Sequence, residues 1–336
     1  MGYDLSQYLV IGISSRALFD LSHENEIFET QGLEAFQKYQ LEHEDEILPP
    51  GAGFPVVQAI LRLNTIVPDQ RKVEVIIMSR NSAESSLRIF NSIRHYDLDI
   101  VRAALTSGQP LSPYLHAFDV DLFLSADEEE VQAAVNAGSA AAYIYPAPPE
   151  FKPATDQLRI AFDGDAVLFS DDSERIFKEH GIDAFHDHEE KNAHEQLGEG
   201  PFAKLLKTIS YLQREGGQDP SPIRTALVTA RSSPAHERVI RTLRSWDVRI
   251  DEAFFMGGAS KAEVLKAFGA HIFFDDQDVH LKPASQFVPS ARIPYVVKAG
   301  QKALEQAVAK DVPSADDDIS CGRAIRQSEQ SEARTE

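Results

Sequence analysis

The chain has 336 residues, 43% of them hydrophobic and 26% charged, and a formal net charge of −20 from 33 basic and 53 acidic side chains. That length supports two ordinary domains with their own cores, while the acidity disfavours nucleic acid and anionic membranes as partners. The one cysteine, Cys321, excludes an intrachain disulfide and a thiolate zinc cluster, and no apolar run approaches the roughly 20 residues that span a bilayer.

The opening MGYDLSQYLVIGISS lacks a basic region and a small-residue cleavage site, so no signal peptide is expected and a cytoplasmic location is the default. The first buried strand is YLVIGI (8–13), followed by a polar helical insert. The amphipathic helix FPVVQAILRLN (54–64) comes next, with Pro55 in its first turn. VEVIIMS (73–79) reads as a second strand leading into another helix. Strands alternating with helices predict an α/β fold, with a Rossmann-like parallel sheet covered on both faces.

From residue 158 the same grammar starts again. LRIAF (158–162) is strand-like, PFAKLLKTISYLQ (201–213) is helical, and RTALVTA (224–230) is a buried strand. A helix over 235–247 carries the core stripe Val239, Ile240, Leu243 and Trp246. RIDEAFFMG (249–257) and HIFFDD (271–276) complete the series. IFETQGLEAF (27–36) aligns with IFKEHGIDAF (176–185), and YLHAFDVDLFLSAD (114–127) aligns with VLKAFGAHIFFDDQ (264–277). The offset is 149 residues at first and 150 further on. Such register predicts two homologous units, 5–150 and 155–305. The remaining residues, 306–336, are polar and are expected to be a disordered tail.

Polar residues of the second unit fall where strands end and helices begin. Asp163 and Asp165 follow LRIAF, Thr229 ends a strand, Lys261 follows a Gly-Gly turn, and Asp275 and Asp276 end HIFF. In a parallel sheet those places converge on one edge. The chemistry they suit is phosphoryl transfer. One aspartate attacks phosphorus, and a second carboxylic acid protonates the leaving oxygen and then activates water. Thr229 donates to a phosphate oxygen, Lys261 neutralises charge, and the crowded carboxylates call for Mg²⁺.

DGDAV (163–167), LVTAR around Thr229, GGASK ending at Lys261 and FFDD (273–276) resemble the four motifs of the haloacid dehalogenase superfamily. With SSRALFDL (14–21) and TLRSW (242–246), they resemble more specifically the cytosolic 5′-nucleotidase type I family, over about residues 8–300. That resemblance implies Mg²⁺-dependent hydrolysis of nucleoside 5′-monophosphates, AMP being the typical substrate. It implies Asp163 as nucleophile and Asp165 as acid/base. Asp275 and Asp276 would hold the metal, together with Asp163 and the backbone carbonyl of Asp165. The alternatives are a related phosphatase or phosphotransferase for another small ester, and a nucleotide sensor without turnover. A homo-oligomer and a nucleotide effector are further expectations.

At the matching positions the first unit has Ser14 and Arg16 for the two aspartates, Ser79 for Thr229, Leu111 for Lys261, and Ser125 and Ala126 for the metal carboxylates. It is therefore read as degenerate. Ser14, Ser15, Arg16 and Arg80 are candidate contacts for a phosphate or effector, with bracing between the units as the favoured role. A small cap insert is expected at about 171–200. There, Phe185 and Phe202 are candidate base-stacking residues and Arg231 a candidate substrate contact, although core packing and ion pairing are their simpler roles. The acids of EHGIDAFHDHEEKNAH (179–194) read as a solvated surface.

Overall fold

The computed structural model describes residues 4–66, 71–149, 151–152, 156–215 and 220–297; the predicted tail, 306–336, lies outside them. Ten strands form one sheet: β1 Leu9–Ile13, β2 Val73–Ser79, β3 Arg102–Leu105, β4 Leu122–Ser125, β5 Ala141–Ile144, β6 Leu158–Phe162, β7 Ile223–Thr229, β8 Glu252–Phe255, β9 Ile272–Asp275 and β10 Ser290–Arg292. Their order is β3-β2-β1-β4-β5-β10-β9-β6-β7-β8. Counted from either edge inward, the order is the same once each strand is matched to the one five places later in the chain.

Pairing is parallel everywhere except at the centre, where β10 runs antiparallel to β5 with Ala291 opposite Ile144 and Arg292 opposite Tyr143. The halves of the chain thus share one α/β sheet. All residues of β1 and β2 are buried, as strands covered on both faces require, and their sequences are accordingly near-continuous apolar runs rather than alternations, broken in β2 by the ion-paired Glu74. One core layer runs through both halves, from Leu9, Ile11 and Ile13 past Ile144 to Phe162, Phe274 and Ile293. The opposite face carries two separate clusters, one around Phe123 and one around Phe273.

In each half a helical hairpin follows the first strand. Helices Ser22–Gln31 and Leu33–Glu42 meet at Gly32, and the long helix Asp172–Lys191 breaks at Gly181. Both glycines have positive φ, 88° and 82°, a conformation costly for a residue with a Cβ. The insert predicted over 171–200 is therefore mostly two helical segments joined by a glycine corner.

Buried polar pairs tie each hairpin to its neighbouring helix. In the first half Arg88 donates to Glu24 at 2.5 Å and to Gln40 at 3.4 Å. In the second, Arg238 donates to Glu189 at 3.0 Å, and Ser173 donates to the same carboxylate at 2.8 Å. Glu24 aligns with Ser173 and Gln40 with Glu189. The arginines, Arg88 and Arg238, stand at matching positions, whereas their carboxylate partners stand on different helical segments.

Candidate active site

Strands β6, β7 and β9 lie side by side, so the residues at their carboxyl ends converge. The Asp163 amide donates to the Phe274 carbonyl at 2.8 Å, which ties the end of β6 to β9. Thr229 ends β7 fully buried. A Cβ on Gly164 would lie 3.1 Å from Thr229 Oγ1, so the glycine between the two aspartates leaves space for that hydroxyl. Asp275 is the last residue of β9, and Lys261 stands immediately before the helix Ala262–Phe268.

Lys261 is buried, with Nζ 2.9 Å from Asp163 Oδ1 and 2.7 Å from Asp275 Oδ2. Burial opposes its charge, but the two carboxylates outweigh it and hold the ammonium pKa above the ordinary lysine value. Asp275 is pushed well above the usual carboxylate range, by burial first and by Asp163 second. Burial also lifts Asp276 to about 7. The Tyr295 hydroxyl donates to Asp276 Oδ2, while Asp276 Oδ1 is buried with no hydrogen-bond partner among the described residues. One oxygen each from Asp163, Asp275 and Asp276 fall within 4.8 Å of one another. Three carboxylates face one ammonium, all donors are oxygens, and one buried oxygen is unmatched. That donor set fits a hard divalent cation such as Mg²⁺.

Asp165 lies on the other side of the turn. Its oxygens accept from Arg231 Nη2 at 2.6 Å and Nε at 2.7 Å, and Arg231 Nη1 donates to Glu189. Burial works against the guanidinium's charge, yet Asp165 and Glu189 together raise its pKa. Arg231 is thus committed to two carboxylates, which replaces the substrate contact considered from sequence. Its charge also lies 5.4 Å from the centre of the Phe185 ring. Phe185 is only 7% exposed, and its edge-to-face partner is Phe177. Phe202 is fully buried against Phe274, so it belongs to the core and cannot stack on a base.

Glu189 corrects the reading of its segment as a solvated surface: it is 1% exposed, between Arg231 and Arg238. Sequence reasoning missed it because one buried acid among exposed ones leaves no periodic signal. Its one trace was the alignment with Gln40, itself an uncharged residue on a hairpin helix.

The residues singled out in the first half line a cavity of about 320 Å³ that includes Ser14, Ser15, Arg16, Ser79 and Arg80. Among the described residues the ion-pair partner of Arg16 is Asp127 of the same half, at 3.7 Å, rather than a residue of the other half as bracing requires. Leu111, the counterpart of Lys261, is buried in an apolar cluster.

Residues 1–300 match the family model described as 5′-nucleotidase. Cytosolic 5′-nucleotidase 1B of Homo sapiens is 40% identical over 288 residues, which cover 83% of this chain and 47% of that protein. The chain therefore spans about half the length of this curated relative. Among solved structures, a chain of a Pnkp1/Rnl/Hen1 complex aligns at 11% identity and a TM-score of 0.29, over 86% of this chain and 96% of that one, too distant to bear on fold or function. By its family match and this identity, the chain belongs to the 5′-nucleotidase family.

Proposed function

We propose that this chain is a phosphomonoesterase that hydrolyses nucleoside 5′-monophosphates, AMP foremost, to nucleoside and phosphate. The observation that carries this reading is the Lys261 ammonium, buried between Asp163 and Asp275 beside the unmatched oxygen of Asp276. Family membership and the cytosolic 5′-nucleotidase name of the human relative support the substrate class and a cytoplasmic location.

The Asp163 carboxylate attacks phosphorus, the bond to the 5′ oxygen breaks, and an aspartyl-phosphate forms. Asp165 gives its proton to the departing 5′ oxygen, then takes one from the water that attacks the same phosphorus. The Asp163–phosphorus bond breaks in that second step, releasing phosphate and regenerating the carboxylate. Thr229 donates to a non-bridging phosphate oxygen, and Lys261 offsets the negative charge of nucleophile and phosphoryl group. Asp163, Asp275, Asp276 and the Asp165 carbonyl would hold Mg²⁺, which supplies a Lewis-acid clamp on the phosphoryl oxygens.

The same reading takes residues 5–150 as a degenerate unit and 155–305 as the catalytic one, with the hairpin at 171–200 as its cap. Three features support duplication: the sequence repeat, the strand order that is the same from both edges, and mirrored ion pairs. Glu74 on β2 binds Arg102 on β3 at 2.6 Å, and Arg224 on β7 binds Glu252 on β8 at 2.8 Å. The four positions match at an offset of 150 with the charges exchanged.

The test is phosphate release from a panel of nucleoside 5′-monophosphates and unrelated esters, with Mg²⁺ or with EDTA, by wild type and by Asp163→Asn. Metal-dependent release that favours nucleotides and is lost in the folded variant is expected. Saturable nucleotide binding with no release from any ester would instead identify a sensor.

A further inference from the structure

The cavity of the first half lies at the carboxyl ends of β1, β2 and β4, where the catalytic half has its carboxylates, but its chemistry is inverted. Ser14, Ser15 and Ser79 form its floor, all of them at least 95% buried. Ser14 Oγ accepts from the Ala17 amide, Ser79 Oγ accepts from the Asn81 amide, and Ser15 and Ser79 share one hydrogen bond at 3.1 Å. Three hydroxyl protons are therefore present, and only one is spent in a hydrogen bond among the described residues. Two buried O–H donors are left for something that enters the cavity.

Two arginines add charge at the rim. The Arg80 guanidinium is exposed and makes no hydrogen bond or ion pair among the described residues, and Arg16 holds Asp127 only loosely, at 3.7 Å with both side chains part-exposed. A pair of that kind contributes little, so Arg16 can turn to a competing anion at small cost. The acids of the rim have other partners as well: Asp127 accepts from the amides of Glu129 and Glu130, and Glu130 accepts from Ser125. The far wall is apolar and aromatic, with Leu21, Leu33 and the edge-to-face pair Phe28 and Phe36, beside the Gln37 amide.

We propose that this cavity is a second, non-catalytic site for a phosphate monoester with a flat heterocyclic body, a nucleoside monophosphate, bound without a metal ion. Hydroxyls and guanidinium groups meet the phosphate directly, whereas a dianion approaching Asp163, Asp275 and Asp276 needs an intervening cation. The aromatic pair and the Gln37 amide receive the base. About 320 Å³ lies within the range of small-ligand sites. Hydrolysis is excluded here because Ser14 and Arg16 replace nucleophile and acid. The inference does not rest on the catalytic reading of the other half.

The test is AMP binding by calorimetry to the full chain carrying Asp163→Asn, in EDTA, with inorganic phosphate and adenosine as part-ligands. Saturable binding is expected without metal, and it should weaken roughly tenfold or more in an added Arg16→Ala, Arg80→Ala pair, two exposed positions whose loss leaves the core intact. Thr229→Val, in the catalytic half, should leave it unchanged. Phosphate should compete, more weakly than AMP. Absence of saturable binding at millimolar AMP overturns the proposal. So does metal-free binding that is lost with Thr229→Val and kept with the arginine pair removed, since that ligand sits in the catalytic half. Phosphate release by wild type is a separate measurement and stands or falls independently.

Discussion

Both carboxylate oxygens of Asp165 are held by one guanidinium, that of Arg231, and the same guanidinium is anchored from behind by Glu189. A planar fork fixes the orientation of the Asp165 carboxylate through both of its oxygens, whereas a lysine offers only a point charge. Arg231→Lys should therefore lower kcat roughly ten- to a hundredfold with KM little changed, since the proposed acid/base carboxylate loses its fixed orientation and phosphate binding is untouched. Arg231→Gln should in addition destabilise the fold by about 3–5 kcal/mol, because Glu189 loses a partner in a buried place. Steady-state kinetics on both variants, with urea unfolding, separates the two effects. A raised KM at unchanged kcat would return Arg231 to the role of substrate contact.

The clustered carboxylates make stability depend on pH. Burial lifts Asp276 from 3.8 to about 7, so between those values the folded protein holds a proton that the unfolded chain has released. Stability without metal therefore falls as pH rises from about 4 to about 7, by up to roughly 4 kcal/mol for a shift of about three units. A divalent cation takes the proton's place, so its stabilisation grows over the same range. In melting curves, the difference in Tm between Mg²⁺ and EDTA should be small near pH 5 and largest near pH 8. A difference that stays constant or shrinks with pH would remove these carboxylates as the ligands.

Much of this site was legible as a sequence. Asp163, Asp165, Thr229, Lys261, Asp275 and Asp276 each sit at a strand end or helix start, and apolar runs such as LRIAF and HIFF mark those ends locally. The single sheet through both halves was not, because β5 and β10 are short and their antiparallel pairing joins residues about 150 apart. Nor was the anchoring of Asp165. Arg231, Glu189 and Arg238 come from separate segments and carry no spacing that links them. The partners of a buried charge are a tertiary property, and Phe202 shows the converse: an aromatic near a cap reads as a stacking candidate until its packing on Phe274 is known.

Gly164 offers a steric test of the catalytic turn. An alanine Cβ there would stand 3.1 Å from Thr229 Oγ1 and 3.4 Å from its Cβ, close enough to displace the hydroxyl by a few tenths of an ångström. Gly164→Ala should lower kcat roughly tenfold while Tm changes by only a few degrees, because the backbone there is not in the left-handed region. Activity at the wild-type level would mean that Thr229 does not act on the phosphate.

The mirrored ion pairs permit a comparison in which both burial and the number of guanidinium partners differ. Glu74 is fully buried between Arg71 and Arg102, whereas Arg224 and Glu252 are 40% and 31% exposed. Removing a charge from a buried cluster leaves guanidinium groups facing a neutral amide, a loss of about 3–5 kcal/mol. The exposed pair is screened by solvent and contributes at most about 1 kcal/mol. Glu74→Gln should therefore lower the urea midpoint substantially, Glu252→Gln hardly at all, and 1 M salt should erase what little Glu252→Gln does while sparing the cost of Glu74→Gln. Equal costs for the two substitutions would mean that neither the burial of Glu74 nor its second guanidinium partner adds to stability.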